Sequence, residues 1–139
     1  MSESTFTVVL GITGSIAAYK TADLVRKLRA LRDPARPEHR VAVRAVLTKN
    51  GAQFITPVTL QTLTGHPVYQ EQFVSAEGWD VEHVGLADSA DLLLIAPATA
   101  NILAKLAAGL ADDLLSTVAL ACTAPLCIAP AVLFAKSPS

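Results

Sequence analysis

Aromatic residues are scarce in this 139-residue chain: one Trp, two Tyr and four Phe make up 5% of it. Charge is scarce too. Charged residues are 17%, and eleven basic against twelve acidic side chains leave a net charge of −1. That balance gives no electrostatic case for a nucleic-acid partner. Disorder is excluded as well, because a disordered chain pairs low hydropathy with high net charge and this one is 52% hydrophobic. There are two cysteines, Cys122 and Cys127, with no further Cys or His cluster to complete four ligands, so no metal is expected. They read as buried small hydrophobes in a reduced compartment. The nearly uncharged stretch 118–135 has the length of a membrane span but is interrupted by Pro125 and Pro130. MSESTFTVVLG carries no basic stretch before its apolar run, so it does not read as a secretory signal. No membrane association is expected, and the location expected is the cytoplasm.

What is present is small apolar mass, mostly Ala, Leu and Val, in about one domain's worth of chain. A domain over residues 1–139 this short buries a modest fraction of its apolar surface alone, so self-association is expected. Strand-like and helix-like patterns alternate, which signals an α/β chain with a parallel sheet. TFTVVL at 5–10 reads as a strand ending at Gly11. The stretch 15–31 has helical spacing, with Ile16, Tyr19, Leu24, Leu28 and Leu31 on one stripe and Lys20, Arg26, Lys27 and Arg29 outward. RDPARPEHR reads as a polar loop, and 41–47 as a second strand with Val41, Val43, Ala45 and Leu47 on one face. KNGAQFI predicts a short helix, and Pro57 opens another through Gly65. A short strand fits 67–70, and helical turns fit 80–90. LLLIA at 92–96 is a continuous apolar run suited to a central parallel strand. Helices over PATANILAKLAAG and 112–121 and a strand at 126–129 complete a doubly wound, Rossmann-like order.

In such sheets ligands bind beyond the carboxyl ends of the strands. The first loop reads G-I-T-G-S. Gly11 and Gly14 permit a tight turn, and Ser15 and Ile16 open a helix whose N–H groups suit a phosphate. An ordinary strand-to-helix turn uses the same residues. The loop is not G-x-G-x-x-G, and Thr48 stands where a dinucleotide fold carries an acidic residue, so a mononucleotide phosphate fits better. In P-A-T-A-N, two alanines leave room for a flat ligand while Thr99 and Asn101 offer hydrogen bonds; either can also serve merely as a helix cap. His83, in E-H-V-G-L, has no partner in the pattern and taken alone reads as structural or solvated. His39 and His66 read as surface residues.

Together GITGSIAAYK, VLTKNGAQFITPVTLQTLTGHPVY and EHVGLADSADLLLIAPATANILAKLAAGLADDLLST resemble the flavin-dependent cysteine decarboxylases, over residues 6–131 and in order. Within that family they are most similar to the branch acting on phosphopantothenoylcysteine, found as the first half of a bacterial bifunctional coenzyme A enzyme. The resemblance implies a flavodoxin-like three-layer sandwich, FMN as cofactor, and assembly as a homotrimer or a dodecamer of trimers. It implies decarboxylation of 4′-phosphopantothenoylcysteine, a small phosphorylated cysteine-containing substrate, to 4′-phosphopantetheine. By position, Gly14, Ser15 and Ile16 would hold the phosphate side of FMN, with Thr48 contributing. Phe54 would lie near the flavin, Pro97, Ala98, Thr99 and Ala100 would border its ring, and Ala131 would complete the cofactor site. His83 and Asn101 match catalytic positions, and Asp113, Ser116 and Thr117 fall near the flavin or a subunit contact. Losing carbon dioxide from a terminal cysteine leaves charge on a carbon with no electron sink, which a cofactor must supply. In the family the cysteine side chain is oxidised toward a thioaldehyde and decarboxylation gives an enethiol, with the histidine as acid/base.

The pattern departs from the family at its end. Val132 and Leu133 stand where the family has Met and a carboxylate-binding Asn, and the family's last β-α unit is missing from this sequence. Three readings are open on sequence alone. The chain is a shortened form of the coenzyme A enzyme, or an oxidative decarboxylase of a peptide's C-terminal cysteine with a divergent end, or a non-catalytic FMN-binding subunit.

Overall fold

The computed structural model describes residues 5–71 and 81–130, with the side chains of 81–84 set aside. Among these residues five parallel strands form one sheet: β1 (Thr5–Ile12), β2 (Arg40–Leu47), β3 (Tyr69–Gln70), β4 (Leu92–Ala98) and β5 (Leu126–Pro130). Their spatial order is β3-β2-β1-β4-β5. β1 is the hub, pairing with β2 from Thr5↔Arg40 to Ile12↔Leu47 and with β4 from Val8↔Leu92 to Gly11↔Ile95. The chain winds outward from β1 toward β3, then returns to lay β4 on the other side of β1. This is the Rossmann-like order of a doubly wound α/β fold rather than the flavodoxin-like one, and its switch point lies between the carboxyl ends of β1 and β4.

Helices cover both faces: α1 (Thr21–Ala30) and α2 (Pro57–Thr64) on one, α3 (Val81–Ser89), α4 (Ala100–Ala108) and α5 (Leu114–Ala121) on the other. Alternation along the strands sorts side chains between two cores. Val8, Leu10 and Ile12 of β1 join Val43, Ala45 and Leu47 of β2 beneath Val25 and Leu60. Val9, Leu93 and Ile95 meet Leu114, Leu115 and Val118 of α5 on the far side. Each fully buried Leu or Val contributes roughly 1.5–3 kcal/mol by removal from water, which is why continuous apolar runs become central strands. Gly11 belongs to this packing. A Cβ there would come within 2.6 Å of Leu115 Cδ1, so the missing side chain lets α5 lie close on the sheet.

Helix ends follow capping chemistry. Thr56 caps α2 ahead of Pro57, and Thr99 caps α4. Asp113 starts α5 with a full capping box, its side chain accepting from Ser116 N–H while Ser116 Oγ accepts from Asp113 N–H. Gly109 closes α4 with φ +69°, a left-handed conformation that favours glycine.

Several expectations require correction. β1 does not stop at Gly11 but runs to Ile12. The helix expected over 15–31 opens as a 3-10 helix, Ile16–Lys20, before α1 begins. Ala18, Thr21 and Val25 are buried and Leu24 and Leu28 pack against the core as expected, whereas Ile16 (73%), Tyr19 (62%) and Leu31 (56%) are exposed. The 3-10 start shifts the angular phase, so Ile16 and Tyr19, which precede α1, fall off the inner stripe that Leu24 and Leu28 keep. KNGAQFI yields only a three-residue 3-10 turn, Gly51–Gln53. The cysteines are not buried: Cys122 is half-buried and Cys127 is exposed on β5, an edge strand in which four of five residues are exposed. Among the described residues no acidic, His or Cys cluster could hold a metal, and no helix is long and apolar enough to cross a membrane.

Candidate functional site

Loops leaving β1, β2 and β4 meet at one end of the sheet around a cavity of about 370 Å³. Thr13 and Gly14 enter it after β1, Thr48, Lys49 and Asn50 after β2, and Thr99 and Asn101 at the start of α4. Its far wall carries Glu71, Lys105, Asp112 and Asp113. A smaller, mainly apolar cavity of about 180 Å³ is bordered by Ala17, Lys20, Ala96, Pro97, Ala129 and Pro130.

The loops are stitched together by hydroxyls. Thr13 is 4% exposed. Its Oγ1 donates to Pro97 O at 2.6 Å and accepts from Thr99 N–H at 3.1 Å. Thr48 Oγ1 donates to Ile12 O at 3.2 Å and accepts from Gly51 N–H at 3.0 Å, bending the β2 loop against β1. Ser15 Oγ accepts from Ala17 N–H at 3.1 Å, which leaves its O–H free to donate elsewhere. Gly14 permits the close approach of two loops: a Cβ there would lie 2.4 Å from Asn50 Cβ and 3.0 Å from Asn50 C.

The far wall is charged but mostly self-neutralised. Lys105, reaching from α4, hydrogen-bonds Asp113 and sits 3.0 Å from Asp112 Oδ1. The bond to Asp113 raises the Lys105 ammonium above its ordinary range. Burial alone would push the Asp113 carboxyl up, but hydrogen bonds from Lys105 and Ser116 hold it below the usual carboxylate value. Glu71 Oε2 accepts from Leu114 N–H at 3.2 Å, adding a carboxylate at the start of α5. An anionic ligand group is therefore better placed near the β1 loop, Lys49 and the start of α4 than against this wall. Elsewhere, burial, together with Arg44 and Arg29, lowers the His66 pKa, and that residue is half-buried rather than fully on the surface.

Of the residues singled out from sequence, Gly14, Thr48, Thr99 and Asn101 line the main cavity. Ser15 and Ile16 follow Gly14 directly, and Phe54, 42% exposed, ends the turn after β2. Pro97 borders the smaller cavity and Ala100 is exposed. Ala98 is 0% exposed and packs in the core with Ile95 and Ile102, so within this chain it has no surface to offer a flat ligand. Ser116 is likewise 0% exposed, bound into the capping box, and Thr117 Oγ1 donates to Asp113 O, so of that trio Asp113 alone reaches the cavity. The His83 backbone lies in α3, but its side chain is outside the described residues, as is all of Ala131. Thr13, Asn50, Glu71 and Lys105 were not singled out. Thr13 had a usable signal, the hydroxyl between two glycines right after a strand, and Asp113 before Leu-Leu had a capping signal. Nothing along the chain links Glu71 to Leu114.

The family model described as Flavoprotein matches residues 1–135. The coenzyme A biosynthesis bifunctional protein CoaBC of Vibrio vulnificus is 44% identical over 125 residues, covering 90% of this chain. This chain spans only 29% of that relative's length. Among solved structures, the FMN-dependent cysteine decarboxylase SpaF aligns with a TM-score of 0.75 and 33% identity, over 90% of this chain and 67% of its own. A PPC decarboxylase variant complexed with pantothenoylaminoethenethiol aligns with a TM-score of 0.68 and 31% identity, over 91% and 67%.

Proposed function

The chain belongs to the Flavoprotein family, and from that premise we propose that it binds FMN and decarboxylates 4′-phosphopantothenoylcysteine to 4′-phosphopantetheine in coenzyme A biosynthesis. The observation that carries the reading is the meeting of the G-I-T-G-S, Thr48 and P-A-T-A-N loops around one cavity at the switch point. Its chemistry fits FMN. Hydroxyl and amide groups from Thr99 and Asn101, with the Lys49 ammonium and with Ser15 next in the chain after Gly14, suit a phosphorylated, hydroxyl-rich ligand, and the start of α4 adds backbone N–H groups. Exposed Ile16 and Phe54 give apolar surface that a flat ring can cover. The likeness to CoaBC and to the PPC decarboxylase structure supports the substrate.

Bound FMN supplies the electron sink that no side chain provides for losing carbon dioxide from a cysteine carboxylate. The chain's own residues bind and orient. Gly14, Ser15 and Ile16 hold the phosphate end, with Thr48 fixing the loop beside them. Pro97, Thr99 and Ala100 border the ring. His83 acts as acid/base in a range suited to neutral pH, and Asn101 orients the substrate with hydrogen bonds. Exposed Ile16, Tyr19, Phe54 and Val58 follow the ends of β1 and β2, which supports a homotrimer or a dodecamer of trimers closing on this end.

A second reading has its own support: decarboxylation of a peptide's C-terminal cysteine, favoured by the alignment to SpaF. One experiment separates the readings. The purified chain should carry flavin bands in its visible spectrum, have a native mass in multiples of three subunits, and release carbon dioxide from 4′-phosphopantothenoylcysteine. Release from a cysteine-ended peptide alone selects the second reading. Bound FMN without turnover on either compound makes the chain a non-catalytic FMN-binding subunit. A chain that neither carries nor takes up flavin refutes the proposal.

A further inference from the structure

We propose that Thr13 is a positioning residue: its side chain sets the spacing between the β1 loop and the β4 loop, and through them the affinity for FMN. This role rests on the chain binding FMN as proposed above. Thr13 is one of four buried polar residues among those described, and its hydroxyl uses both of its capacities across a sequence gap of more than eighty residues. It donates to Pro97 O and accepts from Thr99 N–H, and its own N–H also points at Pro97 O, at 3.3 Å. On its other side, Thr13 O accepts from Ser15 N–H at 3.0 Å, where the 3-10 helix begins. Thr99 is in turn the N-cap of α4. One residue thus joins the two turns from which the phosphate-side and ring-side contacts extend. β1 and β4 are paired only from Val8 to Gly11, and beyond that register the loops are joined by the Thr13 N–H bond to Pro97 O and by the clamp that the two bonds of the Thr13 hydroxyl form.

Valine has nearly the same shape as threonine but cannot accept from Thr99 N–H, and a buried donor without a partner is costly. Serine keeps the hydroxyl and loses a methyl group. The test measures FMN dissociation constants and the visible circular dichroism of bound flavin for wild type, Thr13→Val and Thr13→Ser. Thr13→Val is expected to bind FMN about tenfold or more weakly, with a changed flavin dichroism at saturation, while Thr13→Ser stays within about threefold of wild type with an unchanged band shape. A purely structural role lowers thermal stability without moving either flavin readout. If Thr13→Val binds like wild type, or Thr13→Ser loses as much as Thr13→Val, the clamp is overturned. Should Thr13→Val fail to fold, Thr13→Ala replaces it, and equal FMN binding by Thr13→Ala and Thr13→Ser overturns the clamp. Absence of FMN binding by the wild-type chain instead overturns the cofactor reading on which the clamp depends.

Discussion

Asp113 does two jobs that can be separated by choice of substitution. It caps α5, accepting from Ser116 N–H at 2.8 Å and from Ser116 Oγ at 2.6 Å, and it pairs with Lys105 across the α4–α5 connection. Asparagine keeps the cap and removes the charge; alanine removes both. Loss of a good N-cap costs about 1 kcal/mol. The ion pair is only partly exposed, with side chains 17% and 21% accessible, so losing its charge costs about 1–2 kcal/mol. Asp113→Asn should therefore lose about 1–2 kcal/mol and Asp113→Ala about 2–3 kcal/mol. At about 3 °C per kcal/mol for a chain of this length, the melting temperature falls by about 3–6 °C and 6–9 °C. Asp112 is the control. Its side chain is 51% exposed, so Asp112→Ala should cost under about 1 kcal/mol. Urea unfolding of the flavin-free variants followed by far-UV circular dichroism at neutral pH reads all three. An Asp113→Asn protein as stable as wild type, or an Asp112→Ala loss equal to that of Asp113→Ala, refutes this division of labour.

Four further outcomes are expected. Because the folded Asp113 carboxyl is held below its ordinary value, its charge stabilises the fold above roughly pH 4, and that stability is lost as pH falls through the depressed value. The gap between wild type and Asp113→Asn should close in acid; a gap that widens there contradicts the sign. Leu115→Ala, at a fully buried site over Gly11, should cost about 2–5 kcal/mol, while Leu120→Ala, at a site 50% exposed, stays within about 0.5 kcal/mol in the same unfolding assay. Gly14→Ala must push the Asn50 turn away and should cost about 1–3 kcal/mol with weakened FMN retention; an unchanged melt with full flavin content would show the contact to be soft. His83→Asn should abolish carbon dioxide release with flavin still bound, and loss of the flavin instead would make the residue structural.

The α/β class, a central strand over 92–96 and the helix boundaries at Pro57, Gly65 and Gly109 were legible in the amino acids alone, because each rests on local chemistry, although that strand runs on to Ala98 and the helices expected from Pro97 and Asp112 begin at Ala100 and Leu114. Continuous apolar runs can be satisfied only inside a sheet covered on both faces, and caps and left-handed glycines act within a few residues of themselves. The motif loops were legible for a related reason: in a parallel sheet every strand-to-helix loop lands at the same end. Tertiary structure decided what local pattern could not. The 3-10 start of the first helix changed which side chains faced inward, exposing Ile16 and Tyr19 where regular helical spacing had buried them. Ala98 went into the core instead of toward a ligand. Thr13 was tied to Pro97 and Thr99, Lys105 to Asp113, and Glu71 to the start of α5. The Thr13 contacts join segments that have no reason to meet until β1 and β4 lie side by side, and the Glu71 contact needs α5 packed near the end of β3. Apolar and capping patterns are written locally, whereas a hydrogen bond across eighty residues exists only after the fold has placed both of its ends.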